Sequence, residues 1–149
     1  MLQYVFKNGN DDISDSREIR RKVFIEEQNV PEELEYDEYD GGAVHLIAYD
    51  NGRAVATSRL AFVDGHYKIG RVAVLREERG KRYGDYVVRG MLKKAFEDGI
   101  EEVYVGAQIQ ARGFYETIGF KTVNEDIYDE AGIPHVMMKI VKEDMGGNK

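Results

Sequence analysis

The pattern of hydrophobic and polar positions divides this chain into short segments of two kinds. Leu2 to Lys7 reads as a first strand, stopped by Asn8-Gly9-Asn10. From Asp15 to Glu27 the residues Ile19, Val23 and Phe24 share one helical face, and Asp15 followed three residues later by Glu18 predicts a capping-box start. Pro31 is expected to end that helix, with an acidic loop running on to Gly41-Gly42. Three strand-like stretches follow, Ala43–Asp50, Arg53–Val63 and Tyr67–Leu75, separated by Asn51-Gly52 and Asp64-Gly65. Both pairs favour type I′ turns, because their residues tolerate positive φ, so the three stretches predict an antiparallel meander.

The period then changes. Val87, Val88, Met91, Leu92, Ala95 and Phe96 recur at helical spacing, in a helix that begins near Arg82–Asp85 and closes at Asp98-Gly99. A strand over Glu102–Ala107, a short helix over Gln110–Thr117 closed by Gly119, and strands over Phe120–Glu125 and His135–Val141 complete the series. Asp129 to Pro134 connects the last two strands. The order β-α-β-β-β-α-β-α-β-β is that of an α/β domain with a mixed sheet.

A length of 149 residues suits one domain, set at 1–142, with 143–149 expected as a flexible tail. There is no cysteine, which excludes disulfides, thiolate metal sites and acyl transfer through the chain's own thiol. The longest apolar run is four residues, against the ~20 that span a membrane. No signal-peptide stretch opens the chain, so a cytoplasmic protein without membrane attachment is expected. The net charge of −7 argues against a nucleic-acid partner. That charge is uneven. Residues 26–40 hold eight acids and no Lys or Arg, and without them the chain carries 20 acidic against 21 basic side chains.

From Arg76 to Lys94 the balance reverses, with seven basic and three acidic residues. Here the strand Val72-Ala73-Val74 runs through a basic, glycine-containing turn, Arg79-Gly80-Lys81-Arg82-Tyr83-Gly84, into the amphipathic helix. A helix start presents unpaired N–H groups and a positive dipole end, which suits a phosphate. The turn lacks the Gly-Lys-Ser/Thr of nucleoside-triphosphate loops and the three spaced glycines of dinucleotide folds.

A second motif, Ala111-x-x-Phe114-Tyr115-x-x-x-Gly119-Phe120, lies downstream. In order and separation these two stretches resemble the GNAT family of acetyl-CoA-dependent N-acetyltransferases, over about residues 2–142. Val-Phe-x-x-Glu-Gln-x-Val-Pro at Val23–Pro31 and Gly-Ile-Pro-His at Gly132–His135 resemble its ElaA-like branch. The resemblance implies a single GNAT-like domain, a mixed, mostly antiparallel sheet with helices on both faces. It implies that Arg79, Gly80, Lys81, Arg82, Tyr83 and Gly84 hold the pyrophosphate of acetyl-CoA. Val72, Ala73 and Val74 would lie beside its pantetheine arm, and Gln108 stands where the family often has a cofactor-contacting Asn. Tyr115 matches the tyrosine that protonates the leaving CoA thiolate. Arg82 replaces the loop's middle glycine, a change that suits a helical φ but not a positive one.

The acceptor amine must be neutral to attack, so a base is needed. His135 ranks first among the three histidines, ahead of His45 and His66, and Glu27 is its rival. Arg20, Arg21 or Arg71 would bind a carboxylate on the acceptor, and the acidic segment 26–40 would attract a cationic amine. No metal is expected, since the three histidines form no recognisable ligand set. The reaction implied is direct transfer in a ternary complex to a small-molecule amine. The second reading is a CoA-binding or partner-binding module with little catalysis. Members of the family are often dimers, so a homodimer is an expected assembly, although no segment marks an interface.

Overall fold

The computed structural model describes residues 1–145. Its centre is the meander read from the sequence: β2 (Val44–Asp50), β3 (Arg53–Val63) and β4 (His66–Val74). Both connecting turns carry positive φ at each residue, 52° and 83° at Asn51-Gly52 and 51° and 83° at Asp64-Gly65, as type I′ geometry requires. β1 (Leu2–Asn8) pairs antiparallel with β2 and forms one sheet edge. The sheet continues from β4 to β5 (Glu102–Gln108) and β8 (Ile133–Val141), ending on β6 (Lys121–Thr122) and β7 (Tyr128–Glu130), which both pair with β8.

Helices cover both faces. α3 (Tyr83–Glu97) buries Val87, Val88, Met91, Leu92 and Ala95 against Leu46, Ala48, Ile69 and Val105. α1 (Ser14–Arg20) runs straight into a seven-residue π-helical turn, Arg21–Glu27, and buries Ile19, Val23 and Phe24 against Ile47, Ala73 and Leu75. α2 is the short helix Glu32–Glu35, and α4 is Arg112–Ile118, ended by Gly119 at φ 125°.

Four expectations are corrected. The capping box at Asp15 does not form. Ile13 precedes α1 without a side-chain cap, Asp15 instead accepts the Tyr49 hydroxyl at 2.6 Å, and Glu18 pairs with Arg21. The uniform α-helix to Glu27 widens to π geometry, with Gln28 N–H bonded to the Val23 carbonyl five residues back. The strand expected over Phe120–Glu125 shrinks to two residues, because an Asx turn at Asn124 (Asp126 N–H to Oδ1, 2.9 Å) leads the chain off the sheet. The chain returns as β7, in the stretch read as a connection. Ala131-Gly132, at φ 53° and 80°, makes a third tight turn between β7 and β8. Of the tail expected from 143, Lys142–Asp144 form a 3-10 turn, and residues 146–149 lie outside the described residues.

One feature positions the site. β4 and β5 are parallel neighbours, yet they pair only at Lys68↔Tyr104 and Ile69↔Val105. Beyond Ile69 the strands part, helped by a bulge that puts Arg71 at φ 51°.

Candidate active site

The parting strands open a groove of about 760 Å³. One wall is the free edge of β4. Leu75 N–H bonds to the Val55 carbonyl, so residues 73 and 75 face β3, and by alternation the backbone of Val72 and Val74 faces the groove. Ala73 points its side chain into the α1-side core, whereas Val72 and Val74 pack towards α3.

At one end of the groove the basic turn enters α3. Tyr86 N–H, bonded to the Arg82 carbonyl at 3.1 Å, is the first to reach back one turn, and no side chain caps the amides before it. Gly80 has φ 87°, and a Cβ there would meet nothing within 4 Å, while Gly84 faces Phe114 and Val74 at ordinary contact distance. A hollow of about 230 Å³ lies over these residues. The turn therefore fits a diphosphate in shape and donors. Arg82 has φ 65°, the left-handed conformation a glycine would adopt freely, so the replacement carries backbone strain of about 1 kcal/mol. Lys81 pairs with Glu78 at 2.8 Å, and the Tyr83 hydroxyl donates to Asp50.

Arg79 is already engaged. Its guanidinium grips both oxygens of Glu27, at 2.6 and 2.7 Å, and its Nε and Nη2 reach the Val74 carbonyl at 3.2 and 3.1 Å. The Arg79 hydrogen bonds and charge hold the Glu27 carboxyl below the usual carboxylate range. Next to it, Gln28 accepts from Gln108 Nε2 at 3.0 Å, bridging the π-helical turn to the end of β5.

The other wall brings Tyr115 and His135 to the same groove. Tyr115 packs edge-on against Phe114 and Phe120, and among the described residues its hydroxyl has no hydrogen-bond partner. Burial pushes its phenol well above the ordinary value, so it stays protonated. His135 Nδ1 lies 2.7 Å from the Ile133 carbonyl and must carry the proton there, leaving Nε2 with a free lone pair. That Nε2 stands 3.9 Å from Glu130 Oε2. His45 is fully buried, its Nε2 bonded to the Asp40 carbonyl at 3.0 Å, and burial pushes it towards the neutral form. His66 packs against Tyr104 with the rings tilted 38° and their centroids 4.2 Å apart.

The arginines expected at the acceptor prove to have other work. Arg20 is 0% exposed and reaches Glu35 at 2.5 Å and Asp40 at 3.0 Å. Arg59 pairs with Asp37 and Asp40, and Arg71 with Glu35 and Asp37. Three guanidiniums and three carboxylates thus form one neutral cluster under the groove. Burial pushes Glu35 up against the pull of Arg20 and Arg71. Burial pushes Asp40 the same way, but Arg20 and Arg59 outweigh it and hold the carboxyl low. Arg21 lies on the surface with Glu18 and Glu26. The acidic segment is therefore largely consumed in holding arginines, and Glu32, Glu33 and Glu38 are its exposed remainder without an ion pair among the described residues.

Sequence reasoning missed Lys68 and Glu130, which line the groove, and Tyr128 beside them. Lys68 shares a strand face with Gly70, a period-two signal, whereas Glu130 falls in the expected connection Asp129–Pro134 and Tyr128 precedes it, outside any expected element. Burial and the neighbouring Glu130 push the Tyr128 phenol up to about 12. Among the described residues no group of three or more acids or histidines could hold a metal, and no helix is long and apolar enough to cross a membrane.

A sheet that splays between two parallel strands, with a phosphate-fitting turn at one end of the opening, suits an extended ligand that carries a diphosphate. The chain belongs to the GNAT acetyltransferase family, whose domain model matches residues 10–142. It is 32% identical over 137 residues to the uncharacterized N-acetyltransferase YjcF of Bacillus subtilis, covering 92% of this chain and 98% of that one. It is 33% identical to protein ElaA of Escherichia coli over 126 residues, 81% and 82% of the two chains. The ElaA crystal structure superposes with a TM-score of 0.81, covering 94% of this chain and 99% of that one at 28% identity. An acyl-CoA N-acyltransferase from Pseudomonas aeruginosa superposes at 0.83 with 29% identity, covering 95% and 100%. The family's chemistry is acyl transfer from a CoA donor, and the resemblance to ElaA read from the Val23–Pro31 and Gly132–His135 motifs holds.

Proposed function

We propose that the groove moves an acetyl group from acetyl-CoA directly to a primary amine of a small molecule. The observation that carries this is that the free backbone edge of β4, Tyr115 and His135 line one groove, with the phosphate-fitting turn at its end. Gly80 to Gly84 would hold the pyrophosphate, and the Val72 backbone with the Val74 N–H would take the pantetheine amides, the Val74 carbonyl being held by Arg79. When bound, acetyl-CoA supplies a thioester whose carbonyl carbon is the electrophile. His135 Nε2 takes a proton from the acceptor nitrogen, which forms the new C–N bond as the C–S bond breaks. The Tyr115 hydroxyl donates to the departing sulfur. An ordinary thiol titrates near ~8.5, below a buried phenol, so Tyr115 acts by stabilising the thiolate rather than by completing the proton transfer. The thiolate takes its proton on release to solvent.

Glu27 is a poor base here, since Arg79 occupies both its oxygens. It instead competes with phosphate for Arg79. Glu27→Gln is therefore expected to tighten CoA binding about two- to fivefold, the worth of an exposed ion pair, with little change in kcat. Calorimetric titration of CoA checks this, and weaker binding would mean that Glu27 orients Arg79 for the ligand.

The activity itself is tested by thiol release from acetyl-CoA with a panel of primary amines, alongside the thermal shift produced by CoA. Amine-dependent release is expected. A thermal shift without turnover on any amine would leave only a CoA-binding module, and no shift would overturn both.

A further inference from the structure

The charged groups lining the groove are unequally committed. Arg59, Arg71 and Arg79 each reach a carboxylate at 2.9 Å or less. Arg71, the sequence candidate for an acceptor carboxylate, also meets the Leu34 and Glu35 carbonyls, so its Nε and Nη2 are engaged within the protein and only Nη1 is left over among the described residues. Lys68 differs. Its nearest carboxylate oxygen, Glu130 Oε1, stands at 3.8 Å, beyond hydrogen-bond reach, although an ammonium has three donors to place.

Lys68 also has a neighbour with an unused donor. A Cβ built on Gly106 would lie 3.5 Å from the Lys68 ammonium and 2.4 Å from the Tyr128 hydroxyl, so the two groups converge over this one glycine. The Tyr128 hydroxyl is buried and, among the described residues, has no hydrogen-bond partner. Such a group ordinarily has one, and a phenol can donate to an acceptor. Glu130 then stands between Lys68 at 3.8 Å and His135 Nε2 at 3.9 Å, in a hydrogen bond with neither. These loose contacts leave one loosely held cation on the groove wall, Lys68, with the buried Tyr128 hydroxyl close behind it, and a negative group beside the base.

We propose that the acceptor is a zwitterion of the amino-acid kind, its carboxylate held by Lys68 and Tyr128 and its amino group placed between Glu130 and His135. This rests on the acyl-transfer reading and names the acceptor class for the same site. Glu130 draws in the ammonium form, and His135 Nε2 takes the proton that frees the nitrogen lone pair. Binding exchanges two long contacts for charge-assisted hydrogen bonds at both ends of the ligand.

Matched acceptor pairs test this: L-phenylalanine against phenethylamine, and L-leucine against isoamylamine, with kcat/KM measured for each. The wild type is expected to prefer the carboxylated member at least about tenfold, the effect of one charge-assisted hydrogen bond. Lys68→Met should lower kcat/KM for the carboxylated member at least about tenfold more than for its decarboxylated partner, so that the preference collapses. Lys68→Glu should invert it. Tyr128→Phe should narrow the preference a few-fold without lowering the melting temperature, because the hydroxyl it removes has no partner in the free protein. Equal or better turnover of the decarboxylated amines by the wild type would overturn the proposal, and so would equal losses on both members in Lys68→Met. Either result would leave acyl transfer itself standing. Failure of every amine, with CoA still binding, would take down the acyl-transfer reading and this proposal with it.

Discussion

Replacing Arg20 with Met is expected to lower the unfolding free energy by about 3–5 kcal/mol, the cost of stripping one partner from a buried ionic cluster. Arg20 is fully buried, and its loss leaves Glu35 with Arg71 and Asp40 with Arg59. The two carboxylates were desolvated on the expectation of that third positive charge. The deficit should be read from urea denaturation, and it should depend on pH in a particular sense. In the wild type Asp40 is held low, so its contribution is present above the unfolded carboxylate pKa and is lost as the pH falls through the folded value. Without Arg20 the Asp40 carboxyl loses its main counter-charge and rises, and Glu35, already raised by burial, rises further. Protonation then favours the folded variant, so the gap between variant and wild type should narrow from pH 7 towards pH 4. A loss under about 1 kcal/mol at every pH would mean that the cluster is incidental to the fold.

The second large effect is catalytic. His135→Gln is expected to cost about 10²–10⁴ in kcat, the usual worth of a positioned proton acceptor, and Tyr115→Phe about 10²–10³, the worth of one hydrogen-bond donor aimed at developing charge. Tyr115→Phe offers a control against a purely structural effect. The ring packs between Phe114 and Phe120, and the hydroxyl has no protein partner among the described residues, so the variant should melt close to the wild type. A loss below about threefold in Tyr115→Phe would remove that hydroxyl from the reaction.

The parts of this molecule that were legible in the sequence are those decided by neighbours in the chain. Asn51-Gly52 and Asp64-Gly65 announce their turns because positive φ is a property of the residues themselves. α3 announces itself through a stripe of apolar residues one turn apart. The basic turn before α3 and the Phe114-Tyr115 motif were likewise local patterns, and both border the groove. What escaped was decided by distant partners. The pairing of Glu35, Asp37 and Asp40 with Arg20, Arg59 and Arg71 joins segments up to 36 residues apart, so a run of acids looked like a free surface. The third tight turn escaped because Ala131 gives no sign of φ 53°, and with it went β7 and Glu130. Asp15 looked like a helix cap until the Tyr49 hydroxyl, 34 residues away, claimed its carboxylate.

The central claim is that the groove passes the acetyl group straight from CoA to an amine. The most direct test mixes the protein with acetyl-CoA labelled in its acetyl group, first alone and then with acceptor, and follows the label by mass spectrometry. With no cysteine and with Tyr115 held protonated by burial, the label is expected to remain on CoA until the amine is added and then to appear on the amine nitrogen. Label on a side chain of the protein before the amine arrives, chased from there to the amine, would contradict direct transfer.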